Sequence, residues 1–543
     1  MEEKMKKRVF IAVLMILCLC AQSVFACTIF AVGKNASDDG STMISHTCDS
    51  TGDDLRLWMI PEMPAGVARD IVLDGRAGAD YSQFPEVKDY GTRGMALAEY
   101  VPEKETNRYI HAMYSFMNDK GLAMGESTCS INSNIEQGQK IRAAYREFDG
   151  IIDCYMIQDL ALENCATARE AVEFMGALID EYGWNGSPEC INICDGNEAW
   201  IMECYGAHVW VAAKVPDDAV FVAANRARIN FFVEDDPETY LYAPALKDFV
   251  AKYDLWDGTD WSEFIHCCTF APYGYRPYST RREWRAMSLL NPELGATMDP
   301  EEQDPDRNWP CFVVPSEPVS VQTIYEISGD YYAGTEYDVS ESIWGGQFGD
   351  ALNPAQDFSQ RAINSYRCTY VQIANVKAWL PEEVRCLVWY GCGASDTNYL
   401  TPLFGSMTEL DPMFTHGLRS EYDPNTAWWT AALVQQLSRI NYRMAREDIH
   451  AKRDGIMAAQ YEVTAALQDQ AAKLVKLGEK DKAVALLTTF ANSQARMWKG
   501  VWDELTGELI AKYMFGAVNM NTRAAGYTDF WNALNASEWG VYK

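Results

Sequence analysis

The sequence predicts an α+β fold, and three observations carry that expectation. Strand-patterned and helix-patterned blocks alternate without the regular strand–helix–strand rhythm of a doubly wound parallel sheet. The helical pattern is concentrated late in the chain, where the stretch from about Ala427 to Met514 contains few helix breakers. Of the 543 residues, 48% are hydrophobic, enough for a large core built as two domains or as one large domain with an extension.

The elements follow in order. Residues 1–26 read as a targeting segment. Lys4, Lys6, Lys7 and Arg8 form a basic stretch, although Glu2 and Glu3 sit oddly in it and point to Met5 as an alternative start. Val9 to Cys20 is an apolar run of 12 residues, and Val24 and Ala26 are small residues placed for cleavage before Cys27. Cys27 to Val32 is apolar and β-branched and predicts a strand. Asn35 to Ser41 supplies turn formers, and Thr42 to His46 returns as a second strand. Residues 109–117 predict a further strand, closed by Asn118-Asp119-Lys120-Gly121. Residues 153–182 place Ile157, Leu160, Leu162, Ala171, Val172, Met175 and Leu178 at helical spacing. Asn192 to Cys204 predicts a hairpin around Asp195-Gly196-Asn197, followed by strands at His208–Lys214 and Val220–Ala224. Residues 231–340, with several Pro and Asp clusters, read as loop-rich; 363–375 and 383–392 read as strands. The expected organisation is a targeting segment (1–26), a core (27–415) and a helical C-terminal extension (416–543).

Charge and cysteines narrow the function. With 46 basic against 77 acidic side chains, the net charge of −31 repels a phosphate backbone and argues against a nucleic-acid partner. No later run of 18 or more apolar residues predicts a membrane span. Two of the 16 cysteines lie in the targeting segment. Setting Cys27 aside leaves an odd number after it, so most are expected to be buried small hydrophobes rather than disulfide partners. Cys190 with Cys194, and Cys267 with Cys268, lack a second half that would complete a zinc pattern, and no histidine pair has HExxH spacing. No cofactor is implied.

The chemistry points to Cys27. A cysteine freed at the chain start carries a thiolate nucleophile and, on the same residue, an α-amine with a reference pKa near ~7.7–8.0 that can act as base. The competing reading is a lipid-anchored cysteine. Against it stand the bulky Phe25 two residues before the junction and a strand that begins at once, leaving no tether.

Further motifs occur in order: GKNASDDGSTM (33–43), Asp49 three residues after His46, NDKGLAMGEST (118–128), NEAWIMECYGAHVWVAAKVPDD (197–218), AANRARI (223–229), RREWR (281–285) and DPNTAWW (423–429). On these the chain resembles the N-terminal-nucleophile cysteine dipeptidases of the dipeptidase A type, relatives of penicillin V acylase and bile salt hydrolase. The resemblance spans some 400 residues. It implies a four-layer αββα sandwich with a helical C-terminal extension. It also implies Cys27 as nucleophile, Asp49 as the carboxylate contacting the nucleophile's amine and thiol, and an oxyanion hole made by the Thr128 backbone N–H and the Asn225 side chain. Arg282 matches an arginine of the acylase relatives, with Arg285 as the alternative one turn on. Taken alone, Asp49 and Asn225 read as turn residues, Thr128 as a plain strand residue and Arg282 as part of a solvated helix face. One departure stands out: His46 occupies a position where the acylases and many of these dipeptidases carry arginine, a fixed cation with a fork of donors.

The expectation is thus an extracytoplasmic dipeptidase acting on a dipeptide or small amide, with an amidase of N-acyl amino acids or bile-acid conjugates and a non-catalytic lipoprotein as alternatives. No stable membrane anchor is expected, and oligomeric state, a homo-oligomer included, is left open.

Overall fold

The computed structural model describes residues 27–50, 55–72, 96–148, 150–358, 360–516, 518–521 and 526–538. The targeting segment expected at 1–26 lies outside them. Two large sheets dominate. In spatial order the first is β14 (Phe312–Val313), β12 (Val220–Ala223), β1 (Thr28–Val32), β2 (Thr42–Asp49), β15 (Cys368–Val376), β16 (Cys386–Cys392) and β17 (Thr401–Phe404). The second is β13 (Tyr240–Tyr242), β11 (Val209–Lys214), β10 (Ala199–Gly206), β9 (Glu189–Cys194), β8 (Ala123–Thr128), β7 (Met117–Asn118), β6 (Tyr109–His111) and β3 (Trp58–Ile60). A separate ribbon pairs β4 (Arg69–Val72) with β5 (Ala96–Tyr100). The pairings in these sheets are antiparallel, and together with the helices they make an α+β architecture.

The sheets lie face to face, with β1 and β2 against β8 and β9. Asn192 of β9 pins them together by donating to the Phe30 carbonyl over 2.6 Å and to the Ser45 carbonyl over 2.9 Å. Because each central strand is covered on both faces, β1 and β2 are buried along their whole length. That explains why their sequences run apolar rather than alternating. Gly125 lets β8 approach: a Cβ there would sit 2.9 Å from the His46 Cβ and 2.6 Å from Asn192 Oδ1.

Helices cover both outer faces. Beyond the ten-residue α1 (Glu136–Tyr145), α2 (Cys154–Asn164) and α3 (Ala168–Tyr182) pack on the second sheet. The single helical pattern read over 153–182 is therefore two helices. Asp153 caps the first by accepting from the Met156 N–H, and Thr167 with Glu170 forms a capping box that starts the second. The helix α4 (Pro277–Leu290) lies against β12, and α5 (Val321–Ser328) against β15. The stretch 231–340, read as loop-rich, is largely irregular with helices set into it, and prolines such as Pro277 sit at helix N-termini rather than breaking helices. The strand expected over 109–117 is corrected. It breaks into β6 and β7, because Ser115 turns back to accept from the Ala112 N–H and donates to Asp159 over 2.5 Å.

The late helical pattern resolves into α6 (Ala427–Ser438), α7 (Tyr442–Lys476) and α8 (Lys480–Tyr513). The α6 and α8 helices pack on β16 and β17, and Ala491, Trp498 and Trp502 join the same apolar core as the sheets. Buried Asp396 ties α7 down. It accepts from Arg446 Nε (2.7 Å) and pairs with His450 Nε2 (2.9 Å) and with the Tyr442 hydroxyl. No described helix is long and apolar enough to cross a membrane. All 14 described cysteines are free thiols and 13 are buried, as expected of small core hydrophobes.

Candidate active site

Cys27 stands immediately before β1 and is 1% exposed. The register of β1 sets Ile29 opposite Ala223 on one side and His46 on the other. Carried two residues back, the first pairing brings Asn225 opposite Cys27. Asn225 follows β12 in the left-handed region, with φ at 65°, a conformation that asparagine tolerates better than most residues. It is thus a turn residue and a neighbour of Cys27 at once.

Arg282 joins the two. It projects from α4, fully buried, and is held by Nε donation to the Tyr278 carbonyl. Its Nη1 donates to the Cys27 carbonyl (2.8 Å) and to Thr28 Oγ1 (2.9 Å). Its Nη2 donates to Asn225 Oδ1 (2.7 Å) and to the Ala224 carbonyl (3.2 Å). Burial, and then the neighbouring Arg361 cation, lower its pKa to about 10, so it stays charged at neutral pH. Arg285 points elsewhere and pairs with Asp330.

With Oδ1 taken by the guanidinium, the Asn225 amide nitrogen faces β8 and donates to the Thr128 carbonyl over 2.9 Å. Along β8 the backbone alternates. The Met124 N–H donates to Phe116 of the β7 side, and the Cys129 N–H donates to Pro188 of the β9 side. Thr128 shares the parity of Met124, so its N–H and carbonyl both point away from β9, towards the Asn225 amide.

Asp49 ends β2 and is fully buried. Its Oδ2 pairs with Arg361 and accepts from Thr47 Oγ1 (3.2 Å), and Thr47 in turn accepts from the Thr28 N–H. Its Oδ1 is buried and, among the described residues, accepts no hydrogen bond within normal geometry. Burial raises the Asp49 pKa and outweighs the lowering by Arg361 and Arg282. Burial, then the Glu126 and Asp49 carboxylates, push the Cys27 thiol well up, opposed by a hydrogen bond from the Asp49 backbone N–H.

The five residues drawn from distant motifs therefore converge. Three participants escaped the sequence reading. Glu126 lies in the quoted Glu-Ser-Thr segment yet received no role; its Oε1 is 3.2 Å from Cys27 Sγ and 3.2 Å from His46 Nε2. Burial raises its pKa, but His46, Glu189 and the thiol outweigh that and hold the carboxyl below its ordinary value. Glu189 is pushed up by burial and by the neighbouring Glu126 carboxyl. Arg361, the partner of Asp49, lay in no motif. A cleft of about 930 Å³ lined by Trp58, Arg108, His416 and Tyr422 lies apart from these residues.

The site thus gathers an enclosed thiol, fixed donors and buried carboxylates. Residues 26–454 match peptidase family C69, so the chain belongs to that family. Similar proteins include "Probable dipeptidase A" of Streptococcus pyogenes serotype M1, 26% identical over 93% of this chain and 98% of the relative. "Dipeptidase A" of Lactobacillus helveticus is 24% identical over 90% of this chain and 98% of the relative. "Probable dipeptidase" of Salmonella dublin is 25% identical over 72% and 83%.

Proposed function

We propose that this protein is an exported dipeptidase that cleaves amide bonds through a thioester on Cys27, set in an N-terminal-nucleophile sandwich. The observation that carries the reading is the bridge made by Arg282, whose one guanidinium holds both the Cys27 carbonyl and the Asn225 amide. The face-to-face sheets with helices outside support the fold assignment, and the dipeptidase names of the relatives support the substrate class.

In this reading removal of residues 1–26 frees the Cys27 α-amine. The thiol alone is a poor nucleophile, since burial and two carboxylates oppose ionisation. The amine, with a reference pKa near ~7.7–8.0, takes the thiol proton as the sulfur attacks the carbonyl. The buried Asp49 carboxylate suits the resulting ammonium. The Thr128 N–H and the Asn225 amide stabilise the oxyanion, each such donor being worth about 3–4 kcal/mol. Collapse passes the proton to the departing amine, and water then hydrolyses the thioester.

The test compares two forms of the protein, one beginning at Cys27 by intact mass and one with residues retained before it, against a panel of dipeptides and N-acyl amino acids. The expected result is dipeptide hydrolysis by the first form alone. Equal activity of the extended form overturns the N-terminal mechanism, and a preference for N-acyl amino acids overturns the substrate class. A diacylglyceryl mass on Cys27 overturns the reading altogether.

A further inference from the structure

We propose that Cys27 Sγ, His46 Nε2 and Glu126 Oε1 form a zinc site that reversibly locks the thiol. Cys27 stands just before β1, His46 within β2 and Glu126 within β8, and their three donor atoms lie within 4.8 Å of one another. Two of the separations are 3.2 Å. Zinc binds sulfur at about 2.3 Å and nitrogen or oxygen at about 2.0–2.2 Å in a tetrahedron. Such a site has ligand-to-ligand edges of about 3.3–3.6 Å, so small side-chain shifts suffice.

The donor chemistry selects the metal. Thiolate with imidazole and one carboxylate suits zinc and excludes the all-oxygen preferences of calcium and magnesium. His46 is held for the role. Tyr114 and Tyr370 meet its ring edge-on at 5.4 Å each, and the Tyr370 hydroxyl lies 3.5 Å from Nδ1. These contacts leave Nε2 facing Glu126 Oε1 at 3.2 Å. Glu189, bonded to Glu126, stands behind the ligand carboxylate as an orienting partner. Histidine at position 46 makes the site possible, since a neutral imidazole offers a lone pair as a ligand.

On binding, zinc takes the place of the thiol proton, which leaves to solvent, and the sulfur lone pair needed for attack is engaged in the Zn–S bond. The fourth position is open to water or to the Cys27 α-amine. The lock rests on Cys27 being the nucleophile, but the metal site itself does not, and the experiment separates the two.

Protein beginning at Cys27 is stripped with EDTA, freed of chelator and titrated with Co²⁺. A thiolate-to-cobalt charge-transfer band is followed, and then its displacement by Zn²⁺. We expect one equivalent to bind and the band to be lost in Cys27→Ala. Binding should weaken at least tenfold in both His46→Gln and His46→Arg, with melting curves checking that each variant is folded, and persist in Cys154→Ser. Hydrolysis should fall in proportion to zinc occupancy and return with EDTA. No binding, or a band that survives in Cys27→Ala, overturns the site. Binding with activity untouched by zinc overturns the lock. A protein that binds cobalt as described but hydrolyses no dipeptide leaves the site standing and overturns the proposed function instead.

Discussion

Arg282 Nη2 donates to Asn225 Oδ1 over 2.7 Å, and this bond decides which way the asparagine amide faces. An amide has one acceptor end and one donor end. A cation at the acceptor end turns the donor end towards Thr128, where the nitrogen makes its 2.9 Å bond. Asn225→Ala should lower kcat by about 10²–10³-fold with KM little changed, as loss of one oxyanion donor does. Arg282→Gln should lower kcat as well, because the amide loses its orientation. Steady-state kinetics with a melting curve on the same preparations check this. A folded Asn225→Ala enzyme of near-normal kcat would remove the residue from the oxyanion hole and leave it a turn residue.

Cys27→Ala should abolish hydrolysis and keep the fold, since the change is small and the strand that follows is retained. Cys27→Ser should retain traces at most, a hydroxyl being the weaker nucleophile at neutral pH. The measurement is turnover beside circular dichroism, and full activity in the alanine variant sinks the mechanism.

Glu126→Gln should make the thiol ionise at lower pH. The Glu126 carboxylate sits 3.2 Å from Cys27 Sγ, and a negative neighbour disfavours the thiolate. Neutralising it removes that opposition while keeping the shape of the side chain. The pH profile of Cys27 alkylation by iodoacetamide should shift to the acid side relative to wild type. An unchanged profile shows that the carboxylate does not act on the sulfur.

Asp396 should anchor α7 to the sheets. Burial alone would raise its pKa, but hydrogen bonds and charge from His450 and Arg446 outweigh that and lower it from 3.8 to about 2. Because the folded value is depressed, the stability it contributes is complete above the ordinary aspartate range and is lost as the pH falls through it towards about 2. The shift amounts to roughly 2–3 kcal/mol. Asp396→Asn leaves Arg446 and His450 without their anion and should cost about 3–5 kcal/mol at neutral pH. Thermal melts of both proteins from pH 7 down to pH 3 check it: the gap should be widest at neutral pH and narrow on acidification.

By itself the sequence determined the alternation of elements, the strand that begins just after Cys27 and the long helical stretch, while Asp49, Thr128, Asn225 and Arg282 came only from the family resemblance that its ordered motifs carry. These are local signals: spacing of apolar side chains, turn residues and fixed short patterns survive in one dimension. It misjudged continuity where a single side chain intervenes, as Ser115 does between β6 and β7 and Thr167 between α2 and α3. A capping or turning hydroxyl looks, in a string, like any other small polar residue. What only the tertiary structure decided is which charges meet. Glu126, Glu189 and Arg361 carry no spacing signature, because the partners that give them meaning lie up to 312 residues away, as Arg361 does from Asp49. Two sheets stacked face to face bring these groups within about 3 Å in a buried space, where an opposite or shared charge is required to offset desolvation. That requirement acts on distance in space, and the sequence records only distance along the chain.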